Sequence, residues 1–154
     1  MEEETLKKIL GFLKRKENKS SFKWELLNDE PFTEGDLNIK GDLNLNRSEI
    51  RTLPKGLKVW GNLDLYHSEI TSLPEGLKVG GSLDLYSTKI KSLPEGLKVG
   101  ENLDLTNCKS LTSLPEGLKV GGDLDIVYTK LEKYTDEQLR EMVKPGFIQG
   151  KINR

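Results

Sequence analysis

Residues 81–100 read GSLDLYSTKIKSLPEGLKVG, and nearly the same twenty positions recur on both sides of them. Residues 41–60 read GDLNLNRSEIRTLPKGLKVW, and residues 61–80 read GNLDLYHSEITSLPEGLKVG. Residues 101–121 read ENLDLTNCKSLTSLPEGLKVG, with one residue inserted. Residues 122–131, GDLDIVYTKL, begin a fifth copy, and residues 37–42, LNIKGD, match the LKVGGS segment as a degenerate half-copy. A repeat this regular decides the architecture before any single residue is weighed.

The apolar positions recur in register. The pairs Leu43/Leu45, Leu63/Leu65, Leu83/Leu85, Leu103/Leu105 and Leu124/Ile126 alternate with polar residues. Alternation at a spacing of two predicts a short strand with both residues on one side. Ile50, Ile70, Ile90, Leu111 and Leu131 follow, and then Leu53, Leu73, Leu93 and Leu114, each before a proline. A second alternating pair, Leu57/Val59, Leu77/Val79, Leu97/Val99 and Leu118/Val120, predicts a second short strand per copy. No single copy can bury these side chains. Stacked in parallel, neighbouring coils cover one another as continuous apolar ladders. At about 25 cal/mol per Å² of apolar area, each coil is then worth several kcal/mol. Proline holds φ and glycine supplies turn conformations between the straight segments.

The segment LDLYSTKI resembles the leucine-rich-repeat core pattern L-x-L-x-x-N/C/T-x-L. The inserted copy, LDLTNCKSLTSLP, resembles the cysteine-containing subtype. The LPEGL element and the 20-residue period are similar to short bacterial repeats, including those of secreted effector ligases, and the LPEGLKVGG unit resembles repeats from phage and bacterial genomes. The resemblance covers residues 37–131 and implies an α/β repeat solenoid, a leucine-rich-repeat-like parallel β stack with N- and C-terminal caps. One departure stands out. The apolar residue usual three positions before the L-x-L pair is a glycine, as at Gly80 before Leu83, so the return half of each coil is expected to differ from the family's.

The chain of 154 residues suits one folded unit. Residues 1–36 are expected to form an N-terminal helical cap, with Leu6, Ile9, Leu10 and Leu13 on one helical face. Residues 37–131 form the solenoid and residues 132–154 a C-terminal helical cap. There Thr135 to Gln138 has the capping-box pattern, opening a helix through Lys144 before Pro145-Gly146. Phe147 and Ile148 then offer a strand. The net charge of −1 calls for neither nucleic acid nor an anionic membrane. One cysteine excludes an intramolecular disulfide, and the acidic start and lack of a long apolar run fit a soluble cytoplasmic protein.

Residues alternating with the buried pair face outward, on the side that is concave and binds partners in leucine-rich repeats. The central column is Asn44, Asp64, Asp84, Asp104 and Asp125; beside it run Asp42, Asn62, Ser82, Asn102 and Asp123. A third column is Asn46, Tyr66, Tyr86, Thr106 and Val127, and a fourth Arg47, His67, Ser87, Asn107 and Tyr128. Six acidic residues against one arginine repel one another at a coil spacing of ~4.8 Å. The face either serves a basic partner, with tyrosines as anchors, or reflects repeat drift. A divalent cation on the ladder is a third option, without a compact ligand loop to support it. Trp60 breaks the glycine column of Gly80 and Gly100, and either packs on the cap or is an exposed anchor. Ser48, Ser68, Thr88, Cys108 and Thr129 are expected to point inward and bond backbone groups. Lys58, Lys78, Lys98 and Lys119, with Glu75, Glu95 and Glu116, are expected to form a solvated charge belt.

His67 is the only histidine, and Cys108 is expected inside. No phosphate loop, nucleophile elbow or zinc spacing occurs. No catalytic domain accompanies the repeats in these 154 residues, so no enzyme, cofactor or metal is expected. The expected function is protein–protein interaction through the acidic, tyrosine-bearing face, by a monomer. The expected anchors are Asp64, Tyr66, His67, Asp84, Tyr86, Asp104, Asn107, Asp125, Tyr128 and Trp60. The phage-type repeats imply one concrete version, an inhibitor of a host defence protein occupying its basic nucleic-acid groove in the host cytoplasm. A structural or self-assembling scaffold is the alternative. Direct nucleic-acid contact is not expected, the lysine column being the sole candidate for it.

Overall fold

A computed structural model describes residues 37–154 and, ahead of them, Glu3 and Lys7 alone. The expected N-terminal cap therefore lies outside the described residues, apart from these two, which are helical and ion-paired at 3.0 Å. From Leu37 onward the chain winds into a parallel β-solenoid. Each coil contributes two strands of two residues, as the two alternating pairs predict. β1 (Asn38–Ile39), β3 (Lys58–Val59), β5 (Lys78–Val79), β7 (Lys98–Val99), β9 (Lys119–Val120) and β11 (Phe147–Ile148) form one six-stranded parallel sheet, the lysine sheet. β2 (Leu43–Asn44), β4 (Leu63–Asp64), β6 (Leu83–Asp84), β8 (Leu103–Asp104), β10 (Leu124–Asp125) and β12 (Ile152–Asn153) form the other, the aspartate sheet. The register is one repeat: Lys58 pairs with Lys78, and Asp64 with Asp84. The residue inserted in the fourth copy does not disturb it. It is taken up in a turn where the Leu111 N–H donates to the Cys108 carbonyl at 3.1 Å, so Leu103 still pairs with Leu124 and Lys98 with Lys119.

All the predicted ladders are buried. Leu45, Leu65, Leu85, Leu105 and Ile126 are fully inaccessible, as are Ile70, Ile90, Leu111 and Leu131. They belong to one continuous core running the length of the stack. The inward polar column behaves less uniformly than expected. The Cys108 thiol donates to the Leu85 carbonyl at 3.0 Å and lies 3.5 Å from the Thr88 hydroxyl. The Thr129 hydroxyl donates to the Ile126 carbonyl. The hydroxyls of Ser48 and Ser68 are buried with no partner. The nearby backbone is already committed, since the Ser68 N–H donates to the Leu65 carbonyl within its own turn and the Ser48 carbonyl accepts from Glu69.

The glycines that depart from the usual repeat pattern mark the corner between the sheets. A Cβ on Gly100 would sit 2.0 Å from the Gly80 carbonyl oxygen, and one on Gly80 would sit 2.2 Å from that of Trp60. Neither contact is possible, so close coil stacking demands glycine there. One position further on, a Cβ on Gly81 would meet the Asn62 side-chain oxygen at 2.3 Å, and one on Gly122 that of Asn102 at 2.2 Å. Glu101 occupies this same column, where the facing residue is Ser82, whose side chain reaches one heavy atom less far than that of Asn62 or Asn102. The Ser82 hydroxyl lies 3.2 Å from the Glu101 carboxylate and donates to it.

The last coil exchanges the Leu-Pro-Glu-Gly return for helical turns. A 3-10 turn spans Lys130–Lys133, and α1 spans Asp136–Met142. The capping box forms as expected: the Thr135 hydroxyl accepts from the Gln138 N–H at 3.2 Å, and the Gln138 side chain accepts from the Thr135 N–H at 2.9 Å. Leu139 and Val143 are buried against the core, with Met142 packed beside them. The chain then returns as β11, where a strand was expected, and as β12, where Gly150, Ile152 and Asn153 continue the columns of Gly122, Leu124 and Asp125, a match the repeat reading to residue 131 does not include. No helix among the described residues is long and apolar enough to cross a membrane.

Candidate functional site: the aspartate face

The four aspartates Asp64, Asp84, Asp104 and Asp125 stand in one column of the aspartate sheet, in register from strand to strand. Each is half-buried. Their carboxylates have a structural duty that the sequence does not announce. One oxygen of Asp64, Asp84 and Asp104 accepts from the N–H two residues on, in Tyr66, Tyr86 and Thr106, at 2.8 to 3.0 Å. Asn44 does the same for Asn46 at 3.1 Å, so the turn needs an oxygen but not a charge. Asp125 instead accepts from the Asn153 side chain at 2.7 Å. The charge is therefore surplus to the turn, and it is costly. Burial pushes the Asp84 carboxyl above the usual carboxylate range; the Tyr86 N–H opposes that, Asp104 and Asp64 add to it by repulsion, and His67 offsets it.

The neighbouring polar column is structural. The side-chain oxygen of Asp42 accepts from the Asn62 N–H, that of Asn62 from Ser82, that of Ser82 from Asn102, that of Asn102 from Asp123, and that of Asp123 from Lys151. At the corner the chain turns away from the sheet ladder, and these side chains carry the coil-to-coil bonding instead. Asp42 and Asp123 are thus part of the spine rather than free acids.

The third and fourth columns form a turn. The N–H of Ser68, Thr88, Cys108 and Thr129 donates three residues back, to Leu65, Leu85, Leu105 and Ile126. The third residue of that turn is left-handed in every coil: Arg47 (φ 52°), His67 (52°), Ser87 (56°), Asn107 (62°) and Tyr128 (58°). None is glycine. In the same coils the Leu-Pro-x-Gly turn also requires a left-handed residue, and there glycine recurs at Gly56, Gly76, Gly96 and Gly117 with φ of 68° to 83°.

Aromatic groups gather beside the carboxylates. Tyr66 and Tyr86 stack with ring centroids 5.1 Å apart, His67 meets Tyr66 edge-on at 4.5 Å and lies 5.6 Å from Tyr86, and the Arg47 guanidinium lies 5.8 Å from the Tyr66 ring centroid. Tyr128 is 72% exposed at the far end of the face. The structure thus brings nine of the ten expected anchors onto one side. Trp60 is the exception. It stands at the end of the lysine sheet, 65% exposed, with its indole N–H donating to the Asn38 side chain at 2.5 Å. Arg47 belongs with the site, and the sequence does not reveal this because its ring contact depends on coil stacking. Among the described residues no three His, Cys, Asp or Glu side chains converge to hold a metal ion. Cys108 is buried, and burial raises its thiol above the usual cysteine range, which disfavours the thiolate.

No protein-family model, no curated protein and no solved structure matches this chain.

Proposed function

We propose that the chain is a protein-interaction module whose aspartate face, from Arg47 to Tyr128, receives the basic surface of a partner protein. The observation that carries this is the contrast between the two left-handed turns. A non-glycine residue in left-handed backbone costs on the order of 1–3 kcal/mol. One turn avoids that cost with glycine in every copy. The other places five different side chains there, and only Asn107 among them is of a type that tolerates left-handed backbone. Repeat drift explains copied residues; it does not explain varied side chains kept at conformational expense. Strained, variable positions beside surplus negative charge and stacked tyrosines are what a recognition surface requires. The leucine-rich-repeat likeness of the L-x-L pairs supports the same reading, because the family binds through the corresponding side. The version in which the partner is a nucleic-acid-binding defence protein needs only that the partner surface be basic.

The test replaces Arg47, His67, Ser87 and Tyr128 together by asparagine, which tolerates left-handed backbone. The expected result is a more stable protein that no longer retains its partner in affinity capture from the native host. A second variant, Asp64, Asp84 and Asp104 to Lys, should lose the same partner. Capture of that partner at wild-type level by both variants would overturn the proposal. The scaffold alternative finds less support, since the β11 end of the lysine sheet is occupied by the Arg140 side chain.

A further inference from the structure

From sequence alone direct nucleic-acid contact is not expected, yet two placements in the structure reopen it on the sheet opposite in charge to the aspartate face. The first is a line of lysines. Lys58, Lys78, Lys98 and Lys119 pair in register on adjacent strands. At about 4.8 Å per strand they span roughly 14 Å. Among the described residues none of the four takes part in an ion pair; the Lys89–Glu69 pair and those of α1 lie elsewhere. Like charges directly opposite one another on neighbouring strands are destabilising.

The second placement is aromatic. Among the described residues three large hydrophobic side chains are exposed, and two of them bracket this column. Phe147, 47% exposed, pairs with Lys119 and so occupies the column itself at its far end. Trp60 follows Lys58 by two residues, across the buried Val59, and is tied to Asn38 at the near end. Between them, beside the lysines, Gly80, Gly100 and Gly121 carry no side chain, because stacking forbids one. The result is a strip of bare backbone beside the ammonium groups, with Trp60 at the near end of the glycine column and Phe147 at the far end of the adjacent lysine column.

We propose that the lysine sheet binds single-stranded nucleic acid a few nucleotides long, with phosphates along Lys58, Lys78, Lys98 and Lys119 and bases stacked on Trp60 and Phe147. Basic tracks with aromatic platforms are how proteins hold single strands without reading sequence. An acidic peptide would use the lysines but leave both rings idle. A duplex would hide its bases from them. The exposed Glu75, Glu95 and Glu116 on the adjoining turn keep the field short-ranged, so contact depends on low salt.

The experiment titrates the full chain into a fluorescein-labelled oligothymidylate of ten nucleotides, at several salt concentrations. Binding should weaken with salt with a log–log slope approaching about −2.8 if all four phosphates engage. Lys78→Glu with Lys98→Glu should abolish it, and Trp60→Ala or Phe147→Ala should each weaken it by about tenfold. Asp84→Asn, on the other sheet, should not weaken it. Circular dichroism checks that each variant folds. Absence of binding at low salt overturns the proposal, as does binding unchanged in the double aromatic variant. Equal affinity for polyglutamate or for a duplex of the same length overturns it too, and so does a lysine-dependent dimer in sedimentation without oligonucleotide binding.

Discussion

The Arg140 guanidinium donates to the main-chain carbonyl of Ile148, and its other terminal nitrogen to that of Gly150 at 2.8 Å. In the lysine sheet and its corner, N–H groups donate to the preceding coil in two columns, Trp60 to Ile39, Gly80 to Val59, Gly100 to Val79 and Gln149 to Val120 in one, and Gly61 to Gly41, Gly81 to Gly61 and Gly150 to Gly122 in the other. Ile148 and Gly150 continue these two columns, and among the described residues it is Arg140, not another coil, that bonds their carbonyls. Arg140 takes the place of such donors. An open edge otherwise offers a template for another chain, so α1 both covers the apolar end and closes the polar one.

Arg140→Ala should therefore destabilise the fold by about 1–3 kcal/mol, the cost of leaving carbonyls unsatisfied, and should increase self-association on light scattering. Arg140→Lys should recover only part of the stability, because an ammonium lacks the planar fork that reaches both carbonyls. Equal urea midpoints for the three proteins would contradict the end-closing role.

The corner predicts a coupled pair. Gly81→Ala should be strongly destabilising, by about 2 kcal/mol or more, because its Cβ meets the Asn62 side-chain oxygen at 2.3 Å. Asn62→Ser should relieve the part of that loss due to the Asn62 oxygen, giving the shorter facing side chain that Ser82 presents to Glu101, while the backbone contacts with the Gly61 carbonyl carbon at 3.0 Å and the Asn62 nitrogen at 3.1 Å remain. A double-mutant cycle in urea reads the coupling; strictly additive effects would show that the serine–glutamate exception has another cause.

Asp84→Asn keeps the turn, as Asn44 shows, and removes a charge from the repelling column. It should stabilise the protein at neutral pH by a few tenths to about 1 kcal/mol. The sign with pH follows from the raised carboxyl. A group more basic in the folded than in the unfolded state penalises folding where both are ionised, and the penalty fades as pH falls through the folded value. The advantage of the asparagine variant should thus shrink on acidification below the carboxylate range. Denaturation series at neutral and acidic pH measure it, and a growing advantage in acid would refute the assignment.

Ser68 is buried and its hydroxyl has no partner. Ser68→Ala should be neutral or stabilising by up to about 1 kcal/mol, since it removes an unpaired polar group. Thr129→Ala should instead destabilise, because that hydroxyl both donates to Ile126 and accepts from the Leu131 N–H. Thermal unfolding of the two variants separates the cases.

The repeat made the solenoid legible. Spacing-two alternation at Leu83/Leu85 and Leu97/Val99 is local geometry, and a 20-residue period can satisfy it only by stacking. The capping box at Thr135 was legible for the same reason, its partners lying three residues apart. Other features depend on contacts across coils, which no window of the sequence contains. The demand for glycine at Gly100 comes from the Gly80 carbonyl above it. The role of Arg140 exists only because folding brings its guanidinium to the Ile148 and Gly150 carbonyls. Left-handed backbone at Arg47, His67 and Tyr128 is hidden because those residue types do not advertise it, whereas Gly76 does. Sequence alone determined which residues are inside and which columns line up. Tertiary structure decided which outward residues are already spent on holding the stack, as Asp42 and Asn62 are, and which remain free to meet a partner. That division rests on hydrogen bonds between residues some twenty positions apart, and only the stacking of coils brings them within reach.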